Sequence, residues 1–164
     1  MKEIFLTQGQ VAKIDDEDHE RINKHKWCAL KSPRGFYAIR MMSSLETKNN
    51  GGVRNIVRMH RFIMDTPKGM DTDHIDGNGL NNQRKNLRIA TRSQNAINVP
   101  TRRDNTSGIK GVVWYKQTKR WRAQINIGKK RTHLGFFIDK TEAIKAYNEA
   151  AKKHFGDFAS LNKI

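Results

Sequence analysis

The middle of the chain reads DHIDGN at residues 73–78 and NLRIAT at residues 86–91. In the second stretch Leu87, Ile89 and Thr91 occupy alternate positions, which predicts a strand because successive side chains of a strand face opposite sides. The Asp, Asn and Gly residues between the two stretches favour turns and bond their own main chain. The pattern therefore predicts two strands joined by a polar loop that is poor material for a core.

A short helix is predicted to follow the second strand, because Ser93 is a residue type that caps helices and Asn95 lies just beyond it. A strand, a loop, a strand and a helix in this order can gather Asp73, His74 and Asn95 around one point. A regular strand would direct Asp73 and His74 to opposite faces. We therefore expect the turn at residues 76–79 to break the pleat beside them.

These three side chains suit the hydrolysis of a phosphodiester, which needs a deprotonated water and a cation on the scissile phosphate. A neutral imidazole at His74 can accept a proton near pH 7. The Asp73 carboxylate and the Asn95 carbonyl offer the oxygen ligands that hard cations prefer. A lone histidine is more often structural, but the Asp, Asn and Gly residues around His74 favour the catalytic interpretation.

The run at residues 73–78, together with Asn86-Leu87-Arg88 and Asn95, resembles the HNH nuclease family, in particular its homing endonucleases with asparagine in the last position. The resemblance implies a ββα-metal core in which Asp73 and Asn95 hold the metal and His74 is the general base. It also implies that Asn86 braces the loop and orients His74. Asparagine in the last position favours Mg²⁺ or Mn²⁺ over tightly bound zinc.

Two arginines near this motif are candidates for contacts with DNA phosphates. Arg61 belongs to a His60-Arg61 pair, which resembles the pair commonly found upstream of the motif in these nucleases. Arg88 lies in the second predicted strand. A structural role for His60 and a solvated surface position for Arg88 are equally open from the sequence.

The whole chain has 164 residues, with 32 Lys and Arg against 16 Asp and Glu, a formal net charge of +16 and a pI near 10.3. Charge of this size favours an anionic partner and argues against a metaboliser of neutral small molecules. The hydrophobic content of 36% suffices for one modest core or a few small ones. The single cysteine, Cys28, excludes an internal disulfide and a multi-cysteine zinc site.

The sequence gives no indication of a membrane protein. No apolar run approaches the roughly 18 residues of a membrane-spanning helix, and no signal-peptide core follows the first residues. We therefore expect a cytoplasmic protein of a bacterial or phage-infected cell. We expect no membrane partner and no small-molecule cofactor apart from the metal.

Three modules are predicted along the chain. Residues 1–58 form a β-rich segment of short strands around one polar helix at residues 16–24, with a turn at residues 49–52 and a strand over residues 55–60. Residues 59–105 hold the motif and the first part of a linker at residues 100–107. Residues 106–164 form the third module.

The third module carries the most charge, with 13 basic and four acidic residues. Three strands are predicted at residues 109–115, 120–128 and 131–137, followed by an amphipathic helix at residues 141–154 that starts near Thr141. From Trp121 to Ile127 apolar and polar residues alternate, so one face of the sheet packs and the other is free to bind. We expect Trp114 and Trp121 to pack in the core.

These residues resemble the Apetala/ethylene-response-factor DNA-binding domain through Gly111-Val112, Trp121-Arg122-Ala123, Leu134-Gly135 and the alanine-rich helix at residues 143–151. In that family a three-stranded sheet lies in the major groove of DNA with a helix behind it, and the groove is wide enough for strands. The plant pattern is richer in arginine, so its target sequence does not carry over. The resemblance implies an outward, DNA-binding set that consists of Lys110, Arg122, Gln124, Asn126, Arg131 and His133.

The sequence therefore predicts an α+β protein of small modules: a β-rich N-terminal segment, a ββα-metal core, and a three-stranded antiparallel sheet with one C-terminal helix. We expect it to cut double-stranded DNA as a monomer, in the setting of a phage or mobile element. The alternative is a non-catalytic, sequence-specific DNA-binding regulator with a merely structural middle segment. RNA binding ranks lower, because the chain lacks the aromatic platform expected for single strands.

Overall fold

The computed structural model describes residues 1–53, 55–98, 101, 105, 107–128 and 130–164. The chain divides into two compact units, Met1–Arg92 and Ser93–Ile164. Both combine helices with antiparallel strands, in agreement with the α+β prediction. Most of the predicted linker at residues 100–107 lies outside the described residues. None of the described helices has the length and apolar composition that a membrane-spanning segment needs.

The first unit consists of short antiparallel sheets joined by short helices. Its elements in chain order are β1 (Lys2–Phe5), β2 (Val11–Ile14), α1 (Asp16–Asn23), β3 (Cys28–Ser32), β4 (Gly35–Met41), α2 (Ser44–Asn49), β5 (Ile56–Arg58), α3 (Met59–Ile63), β6 (Asp71–His74) and β7 (Leu87–Ala90). The sheets have the strand orders β1–β2, β3–β4–β5 and β6–β7. Helix α4 (Arg92–Ile97) begins at the boundary with the second unit.

One hydrophobic core holds the first unit together. Ile22 of the N-terminal segment and Met59 of α3 are fully buried in the same cluster. Backbone bonds join the same two parts of the chain, since Lys13 N donates to Leu80 O at 2.8 Å and Asn82 N donates to Lys13 O at 2.7 Å. The N-terminal segment and the motif thus share one folded unit, and the module boundary predicted after residue 58 lies inside it.

Ion pairs reinforce the same packing. The Arg84 guanidinium, just before β7, lies 2.7 Å from the buried Asp18 carboxylate of α1, and Arg84 N donates to Asp15 Oδ2 at 2.7 Å. Arg40 of β4 pairs with Glu46 of α2 through two hydrogen bonds. The buried Arg40 guanidinium lowers the pKa of Glu46 to about 2.

Two helices differ from the prediction for the end of the N-terminal segment. Helix α2 begins with a capping box, in which Ser43 Oγ accepts from Glu46 N at 3.2 Å and Glu46 Oε2 accepts from Ser43 N at 2.7 Å. The strand predicted over residues 55–60 is wrong beyond Arg58, where α3 begins. A helix forms there because Met59 and Ile63, four positions apart, both reach the core.

The second unit has the predicted three-stranded antiparallel sheet and C-terminal helix. Its strands are β8 (Val112–Tyr115), β9 (Arg120–Ile127) and β10 (Lys130–Phe137), in the order β10–β9–β8, and α5 (Lys140–Phe155) follows. Ala123 and Ile125 of β9 are buried in one cluster with Ala143 and Tyr147 of α5. The alternation along β9 therefore sets the face on which the helix packs, as the sequence predicts.

Two details of the second unit correct the predictions. Asp139 rather than Thr141 caps α5, because its side chain accepts a hydrogen bond from Thr141 N at 2.5 Å. Trp114 is 44% exposed, so the prediction that it packs in the core is wrong. It lies near the end of an edge strand, edge-on to the half-buried ring of Trp121.

Candidate active site

The motif residues lie on the β6–β7 pair. Asp73 is opposite Arg88 and His74 is opposite Leu87 in the antiparallel register. The pairing is unbroken through His74, and the turn follows it, since Gly77 N donates to His74 O at 2.9 Å. The break in the pleat that the sequence suggested beside Asp73 and His74 is therefore wrong, because both residues remain in the ladder.

Asn86 holds the loop between the two strands. Its Nδ2 donates to Asp76 Oδ1 at 2.9 Å and to Asn81 O at 2.8 Å, and its Oδ1 accepts from Asp76 N at 3.1 Å. Asp76 also accepts from Asn78 N and from Asn81 Nδ2, each at 2.8 Å. These bonds brace the loop, whereas the imidazole of His74 takes a different asparagine as its partner.

That partner is Asn82, which the sequence analysis did not single out. His74 Nε2 lies 3.1 Å from Asn82 Oδ1, and Asn82 is fully buried. Asn82 Nδ2 donates to Leu80 O at 3.3 Å, which makes Oδ1 the atom that faces the imidazole. A carbonyl oxygen only accepts, so Nε2 carries the ring proton and Nδ1 has the lone pair of the neutral tautomer.

The surroundings keep His74 neutral. Burial lowers its pKa from the ordinary 6.5, while the bond to Asn82 and the charges of Asp76 and Asp73 act in the opposite direction. The net direction is downward. At neutral pH the imidazole is therefore available to accept a proton.

Asp73 is paired with Arg88. The Nε and Nη2 atoms of Arg88 donate to Asp73 Oδ2 at 3.0 and 2.7 Å, and the side chains are only 16% and 8% exposed, respectively. Arg88 thus compensates a buried negative charge inside the motif. Its contact with a DNA phosphate stays a prediction.

The His60-Arg61 pair contributes two buried or half-buried groups next to the motif. Arg61 Nη1 donates to Met70 O at 2.7 Å, so it ties down the segment that leads into β6. Burial, with the nearby His74 and arginine charges, lowers the pKa of His60 to about 3. The contact of Arg61 with DNA stays a prediction, and His60 is a neutral group beside the motif.

Asn95 lies on α4 in the second unit, whereas Asp73 and His74 lie in the first. The chain order β6, β7, α4 is the strand, strand, helix order that the sequence predicts. Ser93 lies inside α4 rather than before it, so the helix starts earlier than predicted. The ββα-metal core and the role of Asn95 as a ligand stay predictions.

The donor chemistry of the motif fits a hard divalent cation. The motif supplies the carboxylate of Asp73 and asparagine amide oxygens but no thiolate. Carboxylate oxygens and waters are the usual ligands of Mg²⁺. Within the described residues, no three or more His, Cys, Asp or Glu side chains gather into a metal-binding cluster. A cation here would therefore rely on one carboxylate, amide oxygens and water rather than on a closed cage.

The outer face of the second unit's sheet gathers most of the predicted DNA-binding residues. Arg131 lies opposite Asn126, and His133 lies opposite Gln124. A cavity of about 280 Å³ on this face is lined by Arg122, Gln124, Arg131, His133 and Phe136. Phe136 was missed because a bulge between residues 133 and 135 changes which residues of β10 share a face.

Lys110 does not belong to this face. Its ammonium is half-buried and donates to Ile97 O at the end of α4. Its backbone is held on both sides by Asn162, whose Oδ1 accepts from Lys110 N at 2.9 Å and whose Nδ2 donates to Lys110 O at 3.0 Å. Burial lowers the pKa of Lys110. These contacts are internal, and a role in DNA binding stays a prediction.

Comparisons with known proteins agree with the motif. The HNH endonuclease family profile matches residues 65–97. Protein 3.8 of Escherichia phage T7 is 45% identical over 93 residues, which cover 57% of this chain and 76% of that protein. An uncharacterised HNH endonuclease of Acanthamoeba polyphaga mimivirus is 35% identical over 115 residues, 66% of this chain and 58% of that protein.

A third relative, derived from the SPbeta prophage of Bacillus subtilis (strain 168), has the words HNH homing endonuclease in its name. It is 39% identical over 66 residues, which cover 40% of this chain and 38% of that protein. No solved structure matches the chain with statistical significance. The family profile, the similarity to the phage protein over most of its length and the two relatives named as HNH endonucleases agree. The chain therefore belongs to the HNH endonuclease family, a family of DNA-hydrolysing enzymes.

Proposed function

We propose that this chain is an endonuclease that cuts double-stranded DNA with His74 as the general base. HNH nucleases generally use divalent metal ions. In our proposal the ion is Mg²⁺ or Mn²⁺, and Asp73 and Asn95 supply oxygen ligands in a ββα-metal core, because the motif offers hard oxygens and no thiolate.

The observation that supports this role of His74 best is its bond to Asn82. An acceptor on Nε2 leaves Nδ1 as the basic atom, and the buried position of Asn82 keeps the ring in one orientation. A hydrogen bond to the other ring nitrogen fixes the tautomer of catalytic and metal-binding histidines in many enzymes.

When bound, a divalent cation would supply positive charge at the scissile phosphate and make the attacking water more acidic. His74 Nδ1 accepts the proton of the water that attacks phosphorus. The P–O bond opposite the attacking oxygen breaks, and the leaving sugar oxygen takes a proton from solvent. As the ring becomes positively charged, its Nε2–H bond to Asn82 Oδ1 strengthens and stabilises the imidazolium. The bonds of Asn86 keep the loop from moving while this happens, and Arg88 holds the Asp73 carboxylate in place.

The second unit holds the DNA in this proposal, as an Apetala-type module would. Its outer sheet face combines the cations of Arg122 and Arg131 with the hydrogen-bonding groups of Gln124, Asn126 and His133. Between Ile109 and Ile138 the chain has eight Lys or Arg residues and no carboxylate, so this surface attracts phosphates. The monomeric state, the cytoplasmic location and the phage or mobile-element setting remain predictions.

Nicking of supercoiled plasmid in the presence of Mg²⁺ tests the proposal. The His74→Ala variant should lose cleavage by roughly 10² to 10⁴-fold, the usual contribution of a general base. Its affinity for DNA in a gel shift should stay within a few-fold, because most of the charge lies elsewhere. His154→Ala, which removes an exposed histidine of α5, is the matched control and should cut like the wild type.

Two results would contradict the proposal. Near wild-type cleavage by His74→Ala in saturating Mg²⁺ would exclude His74 as the base. DNA binding without any cleavage by the wild-type chain would instead favour the non-catalytic regulator.

A further inference from the structure

Two aromatic rings from outside the motif contact the imidazole of His74. The ring of His60, on α3, lies 4.9 Å from that of His74 between centroids, with the planes at 76°. The ring of Tyr37, on β4, lies 6.0 Å from His74 and 5.8 Å from His60. These separations fall within the range in which aromatic pairs attract, so the three rings form one cluster.

The loop that follows His74 rests directly on the strand that carries Tyr37. A Cβ atom added to Gly79 would lie 2.6 Å from the Tyr37 ring and 2.5 Å from Phe36 O. Both distances are far below van der Waals contact, so only glycine permits this approach. The tyrosine ring thus packs against the motif at two places, the imidazole and the loop.

Hydrogen bonds of the ring do not explain why a histidine occupies position 60. It is 5% exposed, and its buried Nδ1 has no hydrogen-bond partner among the described residues. An unpartnered buried nitrogen costs free energy of folding, which an apolar side chain at this position would not cost. The contacts of its ring with His74 and Tyr37 explain why a flat ring occupies this position.

We propose that Tyr37 and His60 are positioning residues that form an aromatic seat for the imidazole of His74. The seat fixes the tilt of the ring, while Asn82 fixes its rotation by holding Nε2. This inference rests on the proposed role of His74 as the base. It gives the N-terminal segment a part in the chemistry, since Tyr37 comes from β4.

Variants of Tyr37 in the full chain test the seat. Tyr37→Leu keeps apolar bulk without a ring, and we expect kcat to fall by about tenfold to a hundredfold, the usual cost of a misplaced catalytic group. KM for DNA should stay within a few-fold, because Tyr37 carries no charge. Tyr37→Phe keeps the ring and should retain the wild-type kcat. Phe36→Ala, the neighbour on the opposite face of β4, is the matched control and should leave kcat unchanged.

A second measurement does not depend on cleavage. In ¹H–¹⁵N NMR spectra of the imidazoles, Tyr37→Leu should shift the ring resonances of His74, and Tyr37→Phe should leave them near their wild-type positions. Unchanged His74 resonances in Tyr37→Leu, or equal losses of kcat in Tyr37→Leu and Tyr37→Phe, would overturn the seat. If instead His74→Ala cuts normally, the proposed base is wrong, and the NMR comparison still decides whether the seat exists.

Discussion

The motif in the first unit and the sheet face in the second unit differ in how they treat polar groups. In the motif, Asp73, His74, Asn82 and Asn86 are buried, and each has a partner in the protein. On the sheet face, Asn126, Arg131 and His133 are exposed. Burial fixes the geometry that chemistry needs, whereas exposed charge provides affinity that salt can screen. Under the proposed function, turnover and binding therefore belong to different surfaces.

Removal of divalent metal should have the largest effect. We expect a chelator to abolish cleavage and added Mg²⁺ or Mn²⁺ to restore it, because Asp73 and Asn95 are hard oxygen donors. Gel shifts in the chelator should show DNA binding within a few-fold of normal, since the sheet face contributes affinity without the ion. Restoration by zinc with Mg²⁺ inert would count against this ligand set, and loss of binding together with cleavage would break the comparison.

The next largest effect concerns Asn82. Asn82→Ala removes the acceptor of His74 Nε2–H, so we expect single-turnover cleavage to fall by roughly 10²-fold. Asn82→Asp keeps an oxygen acceptor at that position and should recover part of the rate. Unchanged thermal unfolding of either variant would separate this effect from a loss of folded protein. Equal rates for Asn82→Ala and the wild type would show that the bond does not orient the base.

Substitutions on the sheet face should affect affinity and leave the chemical step intact. Each neutralised phosphate contributes about 0.9 to the slope of log affinity against log salt concentration. Arg131→Ala should therefore reduce that slope by about one and lower affinity several-fold, and Arg122→Ala should act similarly. Cleavage of fully bound DNA should not change. Lys145→Ala, on the exposed side of α5, is the charge-matched control, and an equal loss there would mean that the face has no special role.

The smallest effect is an acid sensitivity of the first unit, where the ion pairs between described residues lie. Glu46 has a folded-state pKa of about 2, below its ordinary 4.5. Its contribution to stability is thus complete above pH 4.5 and is lost as the pH falls from about 4.5 to about 2. Glu46→Gln removes the ion pair with Arg40, so it should reduce the free energy of unfolding at pH 7. The loss should be only about 1–2 kcal/mol, because water screens the half-buried carboxylate.

Fluorescence of Trp27 can follow this change, because the guanidinium of Arg40 lies 5.6 Å from the indole ring. Variants in which Trp114 and Trp121 are replaced by phenylalanine would isolate that emission. If Glu46→Gln has the wild-type stability at pH 7, the ion pair contributes nothing measurable. In that case the acid sensitivity of the first unit must come from its other carboxylates.

The parts of the fold that local pattern controls could be predicted. The alternation along β9 identified its packed face correctly, and the Asp, Asn and Gly residues correctly indicated a turn-rich loop between β6 and β7. Helix α3 was not predicted because it follows directly on the three residues of β5 and is only five residues long. The strand pattern in the sequence therefore continues through it. Only the core shared with Ile22 selects the helix there.

The site divides in the same way. His74 and Asn86 were identifiable from the motif. Two neighbouring asparagines, Asn81 and Asn82, follow in the loop, and the sequence does not tell which of them bonds His74. In the structure Asn82 does so, and Asn81 bonds Asp76. Tyr37 carried no pattern of its own. Its contact with His74 depends on how two sheets pack, and this information is not local in sequence. Phe136 was missed for a local reason, a bulge that sequence alternation does not reveal.

The bond from Arg84 N to Asp15 joins residues 69 positions apart. Together with the backbone bonds of Lys13 to Leu80 and Asn82, it holds the loop between β6 and β7 against the N-terminal segment. Because the chain is made from its amino end, Tyr37 and His60 are synthesised before His74. The bond to Asp15 forms only after residue 84 has been added. Contacts of such long range form late, because the intervening chain must first be ordered. Under the proposed function, a growing chain therefore lacks a positioned base until the whole first unit has been made.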